Sequence, residues 1–235
     1  MLHSRPWSES SLLVDVFTRE HGRFRVLAKG ARRQKTGSRA QLQSFQKLQI
    51  SWSGRRSLHT LTGVETNVVR PTRMHRTVLA SLYYMNELVF KFLHANDAHE
   101  DLFDAYDECV QRLTAGEQPE DILRFFECAL LSEIGYGLIL DRDTNTGETI
   151  DETGHYFYYP ERGPVRVDTT DSEQALQISG ACLTQLSQRR FTDAATRKDS
   201  KRLLRNLLTR QIRGGEFRTR KVFSDLLRYA PSHAD

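Results

Sequence analysis

Apolar and polar residues alternate along the N-terminal part of the chain. Between Arg23 and Lys29, the apolar residues Phe24, Val26 and Ala28 take every second position. This period of two predicts a half-buried β-strand, because successive side chains of a strand point to opposite faces. The same alternation occurs in three other segments, at residues 11–18, 45–52 and 58–64. Four or five short strands with tight turns between them indicate a small β-barrel or sandwich.

The periodicity becomes helical after Pro71. From residue 74 to 93 the apolar side chains fall on one stripe, which predicts an amphipathic helix. A later helix, which begins near Pro119, is apolar nearly all round and is expected at the centre of a helical domain. Further helices are predicted at residues 102–113, 183–190, 193–212 and 220–229, and a short β-hairpin at residues 156–159 and 165–167.

These patterns predict an α+β fold. An all-β module is expected over residues 1–69, and a mostly α-helical domain with a small β-hairpin insertion over residues 70–235. A barrel of fewer than about 80 residues has little core of its own. We therefore expect the β-module to lean on the helices that follow it.

Charge is strongly segregated along the chain, although the net charge is only +4. Residues 1–60 contain twelve Lys or Arg and three Asp or Glu, residues 97–161 contain three and seventeen, and residues 189–228 contain thirteen and four. Two basic blocks therefore flank one acidic block. This segregation indicates different partners on different surfaces, with nucleic acid on the basic ones. Self-association by charge is the other interpretation.

A basic loop follows the strand that ends at Lys29. Gly30 breaks the alternation, and the next residues are too polar and too charged to pack. Because clustered like charges repel one another, the loop makes best sense facing a polyanion, although a solvated surface loop is equally consistent with the pattern. The predicted DNA-binding residues combine this strand and loop with a cationic cluster near the C-terminus: Arg23, Arg25, Lys29, Arg32, Arg33, Lys35, Arg39, Arg218, Arg220 and Lys221.

Aromatic residues accompany the basic loop within the β-module, at Trp7, Phe24, Phe45 and Trp52. Cations that follow the phosphates and exposed rings that stack on bases are typical of barrels that bind single strands. Most of these four rings are expected in the core, with at most one or two exposed.

No group of residues in the sequence indicates catalysis. Ser44 and Lys47 match the S-x-x-K pattern of serine enzymes, but on a predicted β-module without a helix to carry the serine. His94, Asp97 and His99 straddle a helix break, so solvated helix ends explain them better than a metal site. We therefore expect no enzyme activity, no bound metal and no cofactor.

The three cysteines are odd in number and far apart, at Cys109, Cys128 and Cys182. This usage predicts reduced thiols in a cytoplasmic protein, and the lack of a CxxC pair argues against a structural zinc site. No apolar run is long enough to span a membrane, and the first residues do not resemble a secretory signal.

Several segments, taken in their order and spacing, resemble the RecO family of bacterial DNA-repair and recombination mediators, and most closely its enterobacterial type. The residues that carry the resemblance are 2–11, 15–18, 26–32, 84–88, 124–127, 135–137 and 218–220. The family implies an N-terminal OB-fold, then a helical domain. It implies binding of single- and double-stranded DNA, annealing of complementary strands, and no ATP hydrolysis.

The resemblance also implies protein partners. These are RecR and the acidic C-terminal tail of the single-strand-binding protein (SSB), through which the family helps RecA load onto coated DNA. A site for such a tail needs cations for carboxylates and an apolar cleft. The candidates are Arg124 on the apolar helix, with Arg202 and Arg205. An ion pair of Arg124 with Glu120 or Glu127 is the structural alternative.

The chain departs from the family pattern in two places. Many relatives carry CxxC pairs after the Gly-Tyr motif, but Asp143 and Thr146 stand where the first pair would be. Zinc is therefore not expected, and hydrogen bonds or packing must hold that loop. Relatives also usually have residues before the stretch that matches Leu2, so the first strand is expected to be short and the barrel edge frayed.

Two other functional classes fit the charge and periodicity. An OB-fold that binds RNA in translation or RNA metabolism would show the same basic loop. An adaptor protein that acts through its acidic helical region, residues 97–161, would need no nucleic acid. Relative affinity for DNA and RNA of equal length distinguishes the first class from a DNA-repair mediator.

Overall fold

The computed structural model of the chain describes residues 1–33, 41–54, 58–68, 74–167 and 176–212, together with residues 217 and 219. The described residues form two compact units, residues 1–116 and residues 117–221. The first unit holds the β-module and two helices, and the second holds the remaining elements. The domain division at residues 69 and 70 stays a prediction.

The first unit is built on a five-stranded sheet. Its strands are β1 (His3–Pro6), β2 (Leu12–Thr18), β3 (Gly22–Ala28), β4 (Lys47–Ser53) and β5 (His59–Val68). The order across the sheet is β1-β2-β3-β5-β4, and β3 pairs with β5 in parallel while the other neighbours are antiparallel. All four strands predicted from alternation are confirmed. The arrangement is OB-like, and within the described strands β1 does not pair with β4, so the barrel is not closed.

Both faces of β2 are buried. On the inner face, Val14 and Val16 pack with Phe24 and Val26 of β3 in an apolar core. On the outer face, Phe17 packs edge-on against Phe103 and Tyr106, with ring centroids 5.5 and 5.9 Å apart. These two rings belong to helix α2 (Glu100–Thr114), which follows α1 (Arg76–Phe92). The β-module therefore does lean on the helices after it, as its small size predicts.

Gly22 allows the start of β3 to lie against the segment that follows α1. Its φ is +63°, and a methyl group at this position would overlap the backbone carbonyl of Asp97. The backbone N–H of Asn96 donates to the carbonyl of Arg23 at 2.8 Å across the same contact. A glycine is needed here both for its backbone conformation and for its lack of a side chain.

The second unit combines three helices with a small sheet. Helix α3 (Pro119–Glu133) begins with proline at its first turn, and the chain leaves it through Gly135 with φ +85°. The sheet has the order β7-β6-β8, from β6 (His155–Tyr159), β7 (Gly163–Arg166) and β8 (Leu176–Ser179). Helices α4 (Gly180–Ser187) and α5 (Ala194–Gln211) follow. The predicted hairpin is thus confirmed as β6 and β7, and β8 extends it to three strands.

The fold class is α+β, as the sequence patterns predict. The helices predicted over residues 74–93, 102–113, 183–190 and 193–212 are confirmed with shifts of a few residues at their ends, and so is the helix predicted to begin near Pro119. The helix predicted over residues 220–229 lies outside the described residues. No helix in the described ranges is long and apolar enough to cross a membrane.

Candidate nucleic-acid interface

Three strands end together at one edge of the OB-like sheet. Pro6 of β1 lies opposite Leu12 of β2, and Leu12 lies opposite Ala28 of β3. Because neighbouring strands lie about 4.8 Å apart, the turn after Pro6 and the turn after Ala28 start about 10 Å from each other. The sheet therefore brings residues 7–11 and residues 29–33 to a common edge.

Hydrogen bonds join these two turns. The backbone N–H of Arg32 donates to the carbonyl of Ser10 at 2.9 Å, and its guanidinium Nη1 donates to the carbonyl of Ser8 at 2.5 Å. Gly30 turns the chain with φ +71°, and Arg33 closes that turn by donating to the Gly30 carbonyl at 3.0 Å. The start of the basic loop is thus a defined turn fixed to its neighbour.

This edge carries a group of exposed cations. The side chains of Lys29, Arg32 and Arg33 are exposed, and so is Arg5 on the neighbouring strand. Within the described ranges none of the four forms an ion pair with an acidic side chain. Their mutual repulsion is therefore uncompensated, which favours an anionic ligand at this edge. We call Arg5, Trp7, Lys29, Arg32 and Arg33 the basic edge.

Trp7 is the exposed aromatic residue of the basic edge. Its relative exposure is 56%, whereas Phe24 and Phe45 are at 6% and 3%. Trp52 is half-buried, with its ring 4.9 Å from that of Phe24. The expectation that at most one or two of these rings are exposed is confirmed.

Arg25 pairs with an acidic side chain, and Arg23 is held by the C-terminal end of α1, unlike Lys29 and Arg33 of the basic edge. Arg25 Nε lies 2.8 Å from Oδ1 of the buried Asp15. Arg23 Nη2 donates to the carbonyl of Leu93 at 3.2 Å, and the guanidinium lies over the ring of Phe90. Burial lowers the pKa of Arg23 below its usual value, and the nearby Asp15 only partly opposes that effect. Both side chains stabilise the first unit, and their contact with DNA stays a prediction.

Five of the predicted DNA-binding residues lie outside the described residues. They are Lys35, Arg39, Arg218, Arg220 and Lys221. Their contribution stays a prediction.

Arg124 forms a buried ion pair on helix α3. Its Nη2 donates to Oε1 of Glu127 at 2.7 Å, and its Nε lies 2.7 Å from Oε2 of the same carboxylate. The two side chains are only 6% and 3% exposed. The structural alternative foreseen for Arg124, a pair with Glu127, is therefore present. Glu127 therefore already neutralises the positive charge of Arg124 that would bind a peptide carboxylate.

Ion pairs fix the register between helices α3 and α5. Arg197 Nε lies 2.8 Å from Oδ1 of Asp121, and Lys201 Nζ lies 3.6 Å from Oε1 of Glu120. These two ion pairs hold the first turn of α3 against the first two turns of α5.

The predicted peptide-binding cations lie on two helices, Arg124 on α3 and the other two on α5. Arg202 is exposed and donates through Nη2 to the carbonyl of Gln177 at 2.5 Å. Arg205 is also exposed.

Sequence reasoning counted Arg189 in the C-terminal basic block but did not place it against helix α3. The guanidinium of Arg189 lies over the ring of Phe125, 4.6 Å from its centroid. Arg189 follows α4 with φ +56°, a conformation that sequence periodicity does not reveal. The adjacent Arg189 and Arg190 show in the sequence that this segment is basic, but the sequence does not show that it lies over α3.

Backbone hydrogen bonds hold the loop at Asp143 and Thr146, where the family resemblance raised the question of zinc. Asp143 Oδ1 accepts from the N–H groups of Asn145 and Thr146 at 2.7 and 3.2 Å, and Oδ2 accepts from that of Arg166 at 2.7 Å. Burial by itself would raise the pKa of Asp143, but the three donors outweigh it and hold the pKa below its usual range. Hydrogen bonds of the kind expected for this loop are therefore present, and the expectation that no zinc binds here stays a prediction.

The residues of this loop do not fit a zinc ion. Three backbone N–H groups already occupy most of the lone pairs of Asp143, and no cysteine is nearby in sequence. In the part of the chain that the structure describes, no three His, Cys, Asp or Glu side chains come together as ligands.

The cysteines are shielded thiols. All three are free, and Cys182 Sγ lies 3.5 Å from the carbonyl of Thr196. Burial raises the pKa of Cys128 and of Cys182 to about 12. Since the thiolate is the reactive form, these two groups are poor nucleophiles at neutral pH.

An OB-like sheet with uncompensated cations and an exposed indole at one edge defines a nucleic-acid-binding protein of the OB class. Residues 1–68 match the family described as Recombination protein O N terminal, and residues 75–221 match Recombination protein O C terminal. The chain belongs to the RecO family.

Curated relatives carry the name DNA repair protein RecO. The chain is 39% identical to the protein of Azoarcus sp. over 97% of its own length and 94% of the relative. It is 40% identical to that of Dechloromonas aromatica over 96% and 93% of the two chains. It is 39% identical to that of Methylococcus capsulatus over 95% and 90%. Family membership assigns the chain to recombinational DNA repair and to the DNA-binding proteins.

Proposed function

We propose that the protein is a recombination mediator without enzymatic activity. In this proposal it binds single- and double-stranded DNA without sequence specificity and anneals complementary strands. Together with RecR it helps RecA load onto DNA coated with SSB. It acts in the cytoplasm and associates with the nucleoid during repair.

One observation carries the DNA-binding part of this proposal. Lys29, Arg32 and Arg33 are exposed at a single edge, beside Arg5, without acidic partners among the described residues. Phosphates are the ligands that such a cluster favours, and phosphate contacts are the same for every sequence. Binding through them is therefore independent of base sequence.

Annealing follows from the same chemistry. Two complementary strands repel each other through their phosphates, and cations that neutralise those phosphates lower the repulsion. A protein that holds the backbone leaves the base edges free to pair. Both single strands and the duplex product then bind through the same contacts.

The second unit offers a surface for the acidic SSB tail. Arg202 and Arg205 are exposed on α5, whereas Arg124 on α3 is buried and paired with Glu127. We propose that the carboxylates of the tail bind near Arg202 and Arg205.

The test of DNA binding removes three cations of the basic edge at once, through Lys29→Gln, Arg32→Gln and Arg33→Gln. Fluorescence anisotropy of a labelled single strand is measured over a range of salt concentrations. Losing three phosphate contacts should reduce the log–log salt slope by about 2 on single strands. An unchanged affinity and slope would refute the proposal.

A matched control removes three cations elsewhere, through Arg112→Gln, Arg142→Gln and Arg162→Gln. This control loses the same charge but is expected to keep most of the affinity. If both triple variants lose affinity equally, net charge rather than the basic edge attracts DNA. Equal-length RNA is titrated in parallel, and tighter binding of RNA would favour the role in RNA metabolism.

Mediator activity is measured as annealing of complementary strands, with and without SSB. The basic-edge variant should anneal more slowly than the wild type in both conditions. A variant that binds DNA poorly but anneals at the wild-type rate would separate annealing from this edge.

A further inference from the structure

We infer that Trp7 stacks on an unpaired DNA base and gives the basic edge a preference for single strands over duplex. This inference rests on the proposed DNA binding and deepens it. The cations of the edge explain affinity for any DNA backbone, but they do not explain an exposed indole among them.

The exposure of Trp7 is unusual for so large an apolar ring. More than half of the residue is accessible, although tryptophan is highly buried on average. Within the described residues its ring makes no stacking contact with another aromatic side chain and has no cation above it. A ring with both apolar area and a free face suits a flat apolar ligand.

The backbone holds Trp7 in place. Its N–H donates to the carbonyl of Ser11 at 3.0 Å, and the N–H of Ser11 donates to Oγ of Ser8 at 3.2 Å. Pro6 precedes it and fixes φ at the end of β1. The guanidinium of Arg32 binds the carbonyl of Ser8 within the same turn. The indole is thus presented from a fixed turn, which lowers the entropy lost when it binds a ligand.

The neighbours of Trp7 identify the ligand as a nucleotide. Arg5 lies two residues before it, and Lys29 leaves the sheet about 10 Å away at the same edge. Cations beside an aromatic ring match a phosphate chain with attached bases, in which each unit carries one charge and one flat face.

Stacking discriminates between single strands and duplex DNA. An internal base of a duplex is already stacked on both faces and paired, so its face is not available to an indole. An unpaired base offers its face without that cost. Trp7 should therefore strengthen the binding of single strands and of strand ends, and should leave internal duplex binding unchanged.

The test compares Trp7→Ala with the wild type on three ligands of equal phosphate number: a single strand, a duplex hairpin and an abasic single strand. Affinity for the single strand should fall by about 5- to 100-fold, whereas affinity for the hairpin and the abasic strand should stay within about twofold. Trp7→Phe keeps an aromatic face and should retain most of the affinity. The salt slope should not change, because no charge is removed.

Fluorescence gives an independent measurement. The chain contains two tryptophans, so Trp52→Phe leaves Trp7 as its only indole. Titration of that variant with a single strand should quench its emission, and titration with the hairpin should not. The melting temperature of each variant shows whether it is folded.

Three outcomes overturn the inference. Equal losses on all three ligands mean that Trp7 supports the turn. Unchanged DNA binding with lost binding of RecR means that Trp7 contacts a protein. Full affinity in Trp7→Ala, with reduced affinity in the triple basic-edge variant, rejects stacking but retains the proposed function. If the triple variant also binds normally, the proposed function itself fails.

Discussion

Arg25 and Asp15 form an ion pair across β2 and β3, with Arg25 Nε 2.8 Å from Asp15 Oδ1. Asp15 is buried and Arg25 is half-exposed, so removing Arg25 leaves a buried carboxylate without its cation. We expect Arg25→Gln to lower the free energy of unfolding by about 1–3 kcal/mol. Arg33→Gln should leave it within about 0.5 kcal/mol, because Arg33 is exposed. Urea denaturation measures both.

Arg33→Gln should lose more DNA affinity than Arg25→Gln, which is the reverse of their order in loss of stability. Arg33→Gln removes a cation of the basic edge and should weaken single-strand binding several-fold, whereas Arg25→Gln should change it less. If Arg25→Gln has the larger effect while the protein remains folded, the strand face rather than the basic edge binds the phosphates.

Gly22 and Gly30 provide a matched pair for measuring the close contact at the start of β3. Both have positive φ, +63° and +71°, but only Gly22 faces a backbone carbonyl, that of Asp97. Gly30→Ala should cost about 1–2 kcal/mol of stability through its backbone conformation. Gly22→Ala should cost at least about 2 kcal/mol more, because the methyl group overlaps Asp97. Equal losses in thermal denaturation would mean that the two segments move apart easily.

The carboxylate of Asp143 should make the stability of the second unit depend on pH. Its pKa in the folded protein is held below the unfolded value, so the carboxylate stabilises the fold above the unfolded pKa. That contribution is lost as the pH falls through the folded pKa. Asp143→Asn should lower stability by about 1–3 kcal/mol at neutral pH, because an amide cannot accept from all three N–H groups. The difference from wild type should shrink below about pH 4.

Treatment with a metal chelator is the control that tests whether a metal holds the Asp143 loop. Because Asp143 binds backbone N–H groups rather than a metal, excess EDTA should leave the melting temperature of the wild type unchanged. A fall on chelation would show that a metal holds this loop or another part of the chain. If the difference in stability between Asp143→Asn and wild type is the same at all pH values, the loss arises from the shape of the new side chain rather than from the missing charge.

The buried pair of Arg124 and Glu127 should be more important for stability than the exposed Arg205. Arg124→Ala removes the cation that pairs with a buried carboxylate and should cost about 3–5 kcal/mol, while Arg205→Ala should change stability by less than about 0.5 kcal/mol. Replacing the pair together, through Arg124→Met and Glu127→Leu, should recover most of the loss. Urea denaturation of the three variants measures these differences.

Titration of the SSB tail peptide then separates binding from folding. Arg205→Ala should weaken the peptide several-fold, because an exposed cation is lost. The folded double variant at positions 124 and 127 tests Arg124 without the stability defect. Wild-type peptide affinity in both variants would place the tail elsewhere, and the cation Arg189 over Phe125 would then be the next residue to replace.

Local periodicity determined most of the secondary structure, because the strands and helices bury one regular face. Periodicity did not predict β1 (His3–Pro6), because this strand has no apolar alternation and is largely exposed. Periodicity did not predict β8 (Leu176–Ser179) either, because this short strand has only two alternating apolar residues, Leu176 and Ile178. Short edge strands are defined by their partners in the sheet, and a single sequence does not show those partners.

The sequence predicted which residues could form the candidate site, but it did not predict which of their side chains are exposed. Arg23 and Lys29 are equivalent cations in the sequence, yet α1 covers the first and leaves the second exposed. The same limit applies to Arg124, whose pairing depends on which side of α3 is buried. Trp7 was one of four aromatic candidates, and only burial against neighbouring strands distinguishes it from the rest. These differences arise from tertiary packing.

The high pKa of Cys128 and Cys182 has a consequence for the conditions in which a DNA-repair protein works. Oxidants that damage DNA also attack proteins, and among thiols they react with the deprotonated form. Two sulfurs that stay protonated are poor targets for peroxide. Peroxide should therefore modify these two thiols slowly under the chemical stress that damages DNA.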